Sequence, residues 1–251
     1  MSIFRFKHFQ VVNEKSAMKV NTDGVLLGTA VDLSLHMTKI LDIGTGTGTI
    51  ALILAQRLSP SRTPFHIDAI DIDRDSAMEA SENFKNSPWG NTLSAHHRSL
   101  SEHHHSFAVP SSEQYDLIIS NPPYFESSLE NPDERTTQAR HTKTLSYKDL
   151  IDFSAKHLSQ YGKLAFILPS GNDTAIVRYA ASEGLFLSRK VEIKTVPRKP
   201  VSRVIYEFSK EKKLLDLVIF SIQSASGEYS EEYIKLTQDF YLSLSLDKNR
   251  K

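Results

Sequence analysis

The 251-residue chain contains no cysteine. That absence excludes a disulfide scaffold, Cys-ligated zinc, iron–sulfur clusters and every mechanism built on a thiolate nucleophile. Long apolar runs are also missing, none approaching the roughly 18 residues that cross a bilayer. Residues 1–10 (MSIFRFKHFQ) have no apolar core and no small-residue cleavage site, so a secretory signal is not expected and the cytoplasm is. Nor is there a surplus of charge. Thirty basic side chains balance 30 acidic ones, which argues mildly against a wholesale nucleic-acid binder. What is present, 39% hydrophobic and 24% charged residues with 10 Gly and 10 Pro, is enough to bury a sizeable core.

Apolar periodicity predicts strands at residues 39–43, 65–72, 93–97, 115–120, 163–168, 191–195, 203–208 and 215–222, and a strand or extended element at 3–12. Helices are predicted at 23–35, with an Asp cap, and at 50–58, 76–85, 147–158, 173–182 and 231–244. Strands that alternate with helices from residue 39 to 185 describe an α/β fold: a mostly parallel central sheet with helices on both faces. The last strands lie close in sequence and suggest an antiparallel C-terminal hairpin. With no internal repeat and no second compositional regime, residues 1–251 read as one domain. Residues 126–144 (ESSLENPDERTTQARHTKT) form a long polar stretch of the kind that is usually functional or disordered.

The first constellation is Leu41-Asp42-Ile43-Gly44-Thr45-Gly46-Thr47-Gly48. A strand runs into a turn whose glycines admit close approach of a ligand, and a helix N-terminus follows. The spacing is G-x-G-x-G rather than the dinucleotide G-x-G-x-x-G, and an acid precedes it. Such an acid suits a cationic group, for example an amino acid's ammonium. Twenty-nine residues further on, Asp71 closes the next strand, where a carboxylate accepts both hydroxyls of a ribose. Asp73 lies on the same face by period-two logic, but the strand-end position favours Asp71. The bland reading of the set is a tight turn and an exposed acidic tip.

The second constellation is Asn121-Pro122-Pro123-Tyr124, directly after an apolar strand and so at the carboxyl edge of the sheet. The prolines fix the backbone and lack N–H groups, the Asn amide oxygen accepts, and the Tyr ring offers a stacking face. Two convergent acceptors beside an aromatic ring match a planar substrate carrying an exocyclic NH2. Hydrogen bonds from that group to the Asn121 side chain and the Pro122 carbonyl favour a pyramidal nitrogen with an exposed lone pair. Alone, the same residues would make an ordinary strand-ending Pro turn.

On these residues the chain resembles class I S-adenosylmethionine-dependent methyltransferases that methylate amino groups, with DIGTGTG, AIDID and SNPPYF as their three motifs. AMKVNTDGVLLG at 17–28, NPPYF, Ala139-Arg140 and YSEEYIKLTQDFYLSL extend the likeness nearly end to end to the bacterial tRNA1(Val) adenine-37 N6-methyltransferase family. The resemblance implies a Rossmann-like catalytic core at 39–251, with residues 1–38 an N-terminal extension packing on the cofactor site. It also implies S-adenosylmethionine as cofactor. Asp42, Gly44, Gly46 and Gly48 would line its methionine end, Asp71 would hold its ribose, and the segment from Lys19 through Thr22 to Asp23 would approach it from outside the sheet. Asn121, Pro122, Pro123 and Tyr124 would form the catalytic motif that holds the adenine. One departure stands out: Ser99 occupies the place where such enzymes often carry an Asp for the cofactor's adenine.

Other features have plainer readings. His103-His104-His105 read as a solvated loop rather than a metal site, since no carboxylate lies at ligand spacing. Tyr229, Tyr233, Phe240 and Tyr241 have core spacing, and Trp89 reads as a packing residue. The neutral total hides an asymmetry. Residues 1–120 carry 10 basic and 13 acidic side chains, residues 121–251 carry 20 and 17, and residues 189–213 alone hold nine basic against three acidic. Arg198, Lys199 and Arg203 lie in that stripe, which is either a solvated face or a set of phosphate contacts to tRNA.

The expected function is N6-methylation of adenine in tRNA by direct transfer, without metal or membrane and as a monomer. Protein glutamine N5-methylation satisfies the same acceptors, but Asp42 leaves only 41 residues for the helical substrate domain of such enzymes. DNA adenine methylation would need a target-recognition domain, and the 127 residues after Tyr124 mostly complete the sheet. A dehydrogenase is disfavoured by the glycine spacing, and a silent RNA-binding module by the intact Asn-Pro-Pro-Tyr. Pyrimidine C5-methylation needs the missing cysteine.

Overall fold

The protein's structure is a computed structural model that describes residues 2–105, 114–123 and 145–244. Along the chain run β1 (Ile3–Arg5), β2 (Gln10–Val12), α1 (Thr22–Ala30), β3 (Lys39–Ile43), α2 (Thr49–Leu58), β4 (His66–Asp71), α3 (Arg74–Lys85), β5 (Leu93–His97), α4 (Leu100–His105), β6 (Tyr115–Ser120), α5 (Tyr147–His157), β7 (Leu158–Pro169), α6 (Asp173–Ser182), β8 (Phe186–Lys194), β9 (Val201–Ser209), β10 (Asp216–Ser221) and α7 (Glu231–Thr237).

Eight strands form one sheet in the order β10-β8-β9-β7-β6-β3-β4-β5. All neighbours are parallel except those of β9, which enters antiparallel between β7 and β8 and so forms the expected hairpin with β8. Successive side chains supply opposite faces. Ile40, Leu117, Ile119, Ala165 and Ile205 pack with α1, α2 and α7, whereas Leu41, Ile118, Phe166 and Tyr206 pack with α5 and α6. Both faces are therefore dry, which is why these strands read as nearly continuous apolar runs. Among the described residues no helix is long and apolar enough to cross a membrane.

Several elements differ from the sequence expectation, among them β8, which begins at Phe186 rather than residue 191. α1 stops at Ala30 rather than residue 35, and its cap is Asn21, whose side chain accepts from the Gly24 amide at 2.8 Å. β7 begins five residues early because Gly162 lets it run hard against β6, where a Cβ would lie 2.5 Å from the Tyr115 carbonyl oxygen. α7 ends at Thr237, since the chain turns back there and Phe240 and Tyr241 meet Lys7 and Phe6. The His run is not a solvated loop: it lies in α4, capped by Ser99, with His103 buried against the Tyr115 hydroxyl at 3.0 Å. Tyr233, Phe240 and Trp89 pack as expected, Trp89 edge-on to Phe9.

The N-terminal residues form a hairpin of β1 and β2 followed by a strap that lies along α3. Asn83 exchanges two hydrogen bonds with the Val12 backbone, at 2.7 and 3.0 Å. The Glu79 carboxylate accepts the amides of Glu14, Lys15 and Ser16 at 2.9, 2.6 and 3.1 Å. A charged acceptor satisfying three adjacent amides is a strong local anchor. Glu79→Gln should raise amide hydrogen exchange at residues 14–16 by about tenfold, the cost of roughly one weakened charged hydrogen bond. Unchanged exchange there would mean that the strap stands without this anchor.

Candidate active site

The loops at the carboxyl ends of β3, β4, β5 and β6 surround one cavity of about 500 Å³. Gly44, Gly46, Asp71, Ser99, Asn121 and Pro123 line it, joined by Ala17 and Met18 of the strap and by Leu145 and Phe153. Tyr124 and residues 126–144 lie outside the described residues.

The glycine turn works as a set of left-handed residues, with φ of 70°, 57° and 81° at Gly44, Gly46 and Gly48. Their duties differ. Gly44 and Gly46 wall the cavity, whereas Gly48 lies behind it at the start of α2, where a Cβ would lie 2.4 Å from the Phe84 ring. Gly48 thus lets α2 and α3 close on one another and is not itself a wall of the cavity.

Asp71 sits at the tip of β4 with its carboxylate oriented by two amides, Gly46 on Oδ2 and Asp73 on Oδ1, both at 2.8 Å. Burial pushes its carboxyl up, against the pull of those two amides. Asp73 is committed elsewhere. It also lines the cavity, but caps α3 through the amide and hydroxyl of Ser76 at 2.9 and 2.7 Å.

Asp42 is fully buried behind the turn rather than lining the cavity. Oδ2 accepts from the Thr45 hydroxyl at 2.7 Å, and the Ala51 amide in the first turn of α2 also faces the carboxylate. Burial pushes its carboxyl up to about 7; the charge of Asp71 adds to this, while the Thr45 hydroxyl pulls down. A buried carboxylate behind the turn, two glycines that admit close approach, and an oriented carboxylate one strand over together fit a ligand with a cationic end and a ribose.

Asn121 follows β6 and is 5% exposed, its Nδ2 3.7 Å from Met18 Sδ and close to Gly24 at the head of α1. Ser120 beneath it donates to the Ile43 carbonyl at 2.8 Å, tying β6 to β3 ahead of the glycine turn. Ser99 is present in the wall, but its amide and hydroxyl both donate to Glu102 at 2.8 and 2.9 Å as the cap of α4. Lys19, Thr22, Asp23 and Pro122 are not among the cavity walls. Lys19 is exposed and donates to the Glu14 carbonyl, and Asp23 pairs with Arg203 at 2.8 Å.

Among the wall residues that sequence reasoning passed over are Ala17, Met18, Leu145, His104 and Phe153. Ala17 and Met18 sit in irregular backbone with no periodicity to mark them. Phe153 looks like any other apolar position of an amphipathic helix.

The methyltransferase small-domain family matches residues 15–175. A tRNA1(Val) (adenine(37)-N6)-methyltransferase of Trichodesmium erythraeum is 42% identical over 95% of this chain and 97% of its own length. A protein of the same name from Parabacteroides distasonis is 41% identical over 96% of this chain and 98% of its own length. The chain belongs to this family. One from Yersinia pseudotuberculosis, at 36% identity over 96% of this chain and 92% of its own length, extends the family likeness to a more distant member. The fold is shared more widely. A predicted O-methyltransferase from Agrobacterium tumefaciens superposes with a TM-score of 0.62 at 16% identity, over 87% of this chain and 96% of the other.

Proposed function

We propose that this protein transfers the methyl group of S-adenosylmethionine to N6 of adenine 37 in tRNA1(Val). The observation that carries the reading is the convergence of Asn121, Asp71 and the glycine turn on one cavity, in a chain matched nearly end to end by relatives of that name. S-adenosylmethionine, when bound, supplies a methyl group on an electron-poor sulfonium.

The rest falls to the chain. Asp71 takes the ribose hydroxyls, Gly44 and Gly46 admit the methionine end, and the buried charge of Asp42 acts on its ammonium from behind the turn. The Asn121 side chain and the Pro122 carbonyl take the N6 protons of an adenine that has left its stack, with the Tyr124 ring against its face. Catalysis on this reading is alignment, with no metal and no covalent intermediate. Residues 1–38 and 39–251 act as one unit, the strap of the first closing the cavity of the second. We take the enzyme to act as a monomer in the cytoplasm, where its tRNA substrate is found.

The basic stripe contributes less than its composition suggests. β8 and β9 alternate sides, so Arg189 pairs with Glu207 and Asp216, Lys190 with Asp173 and Glu192, Lys213 with Glu211 and Arg203 with Asp23. Among the other basic residues, Lys210 donates to the Leu158 carbonyl and Lys212 lies over the Phe186 ring, while Arg198 and Lys199 are exposed on the β8–β9 turn at the same sheet edge as the cavity. Replacing both with alanine should weaken tRNA binding and reduce the slope of log K against log salt by about 1.5, from two lost phosphate contacts. An unchanged slope would make that turn a bystander.

Methyl transfer from labelled cofactor to tRNA lacking the modification, followed by nucleoside analysis, tests the main reading. N6-methyladenosine at position 37 is the expected product, and its absence would refute it. Label in protein glutamine instead would favour the alternative that shares the motif.

A further inference from the structure

The histidine run of α4 has no part in the reading above, yet it reaches the cavity. His104 is among the wall residues, next to Ser99, Leu100 and Ser101 and across from Phe153. Its Nδ1 lies 2.7 Å from His157 Nε2. His157 is itself fully buried and stacked on Phe153, ring centroids 4.2 Å apart at 25°. His104 is therefore a half-buried imidazole held by a rigid partner, and with Nδ1 engaged, Nε2 is the nitrogen that remains for a ligand.

The sheet order says which part of a ligand meets it. β3, β4 and β5 are successive neighbours, with the glycine turn at the first tip, Asp71 at the second and Ser99 just beyond the third. A nucleoside whose ribose sits on Asp71 and whose amino-acid end lies over the glycine turn must extend its base towards β5. The cavity walls there include Ile72, Leu100 and Phe153, an apolar slot suited to a flat ring. Such a slot needs a polar group to tell one base from another. Ser99 is spent on the α4 cap, Asp152 accepts from the Tyr179 hydroxyl at 2.7 Å, and Lys156 is an exposed flexible ammonium. His104 alone among these combines a place in the wall with an orientation fixed from behind.

We propose that His104, held by His157, hydrogen-bonds the adenine ring of the cofactor through Nε2. The inference rests on the cofactor reading above and adds a recognition residue to it. His157 is a positioning residue that fixes the His104 ring.

Calorimetric titration of S-adenosylhomocysteine into the wild-type protein and His104→Phe tests this, alongside 15N imidazole NMR of the wild type. Affinity should fall about tenfold in His104→Phe, the usual worth of one hydrogen bond to a buried group. The His104 Nε2 resonance should move on ligand addition, while that of exposed His105 stays put. An unmoved Nε2 resonance, or equal affinity in a folded His104→Phe, overturns the assignment of His104 alone. Failure of the wild type to bind the ligand overturns the cofactor reading with it. The NMR measurement needs no substitution, so it decides the matter even where the variant does not fold.

Discussion

Asn121→Ala should lower kcat by about 10²–10³-fold, the loss typical of removing one preorganised polar contact to the reacting group. Affinity for S-adenosylhomocysteine should stay within about threefold, since the glycine turn and Asp71 are untouched and the proposed partner of Asn121 is the substrate amine rather than the cofactor. The reasoning is chemical. The exocyclic nitrogen of adenine is a poor nucleophile because its lone pair is delocalised into the ring, and an acceptor placed on its N–H favours the pyramidal form. Alanine removes that acceptor and leaves the pocket open. Asn121→Asp keeps an acceptor of nearly the same shape and should recover part of the rate. Steady-state methylation of tRNA with cofactor binding measured in parallel separates the two effects. Near-normal kcat in the alanine variant would mean that the amine is oriented by something else, and a collapse of cofactor binding would make Asn121 a structural residue at the Met18 and Gly24 contact.

The reach of sequence reasoning follows from the range of each interaction. β3 and β6 are legible to the residue because both faces are buried and the turn chemistry that follows each is local. The same locality exposed Asp71 and Asn121, each marking a strand tip. Gly48 was legible as a required glycine but not as one required by Phe84, 36 residues away. The contact of Glu79 with the strap spans 63 to 65 residues and that of Arg203 with Asp23 spans 180, and neither leaves any periodic trace. Charge counts failed for the same reason: a run of basic residues on strands says nothing of the acids that neighbouring strands and helices bring opposite them. Composition located a stripe, and topology showed which of its members face acids.

Asp42 carries the second large expected effect, because its environment opposes the charge that the proposed chemistry uses. Burial holds its carboxyl at about 7 against an unperturbed 3.8, so the fold favours the protonated form. Its contribution to stability is complete below about pH 4 and is lost as the pH rises through about 7, amounting to about 4 kcal/mol on the basic side. About 3 kcal/mol of that falls between pH 5 and pH 8, which for a domain of this size corresponds to a melting temperature lower by roughly 5–10 °C at pH 8, other groups being equal. Asp42→Asn, neutral at every pH, should remove most of that slope and be the more stable protein at pH 8. The cofactor reverses the preference. An ammonium set over the turn stabilises the ionised carboxylate, so its binding expels a proton, and affinity should fall by up to about tenfold per unit as the pH drops below about 7. In Asp42→Asn that pH dependence should vanish along with much of the affinity. Thermal melts of the free protein and titrations of S-adenosylhomocysteine across pH 5 to 8 measure both limbs. A variant whose melts track the wild type at every pH would show that Asp42 is ionised throughout. If instead the melts diverge and the binding profile does not, the buried acid is a strain in the fold that the ligand never relieves.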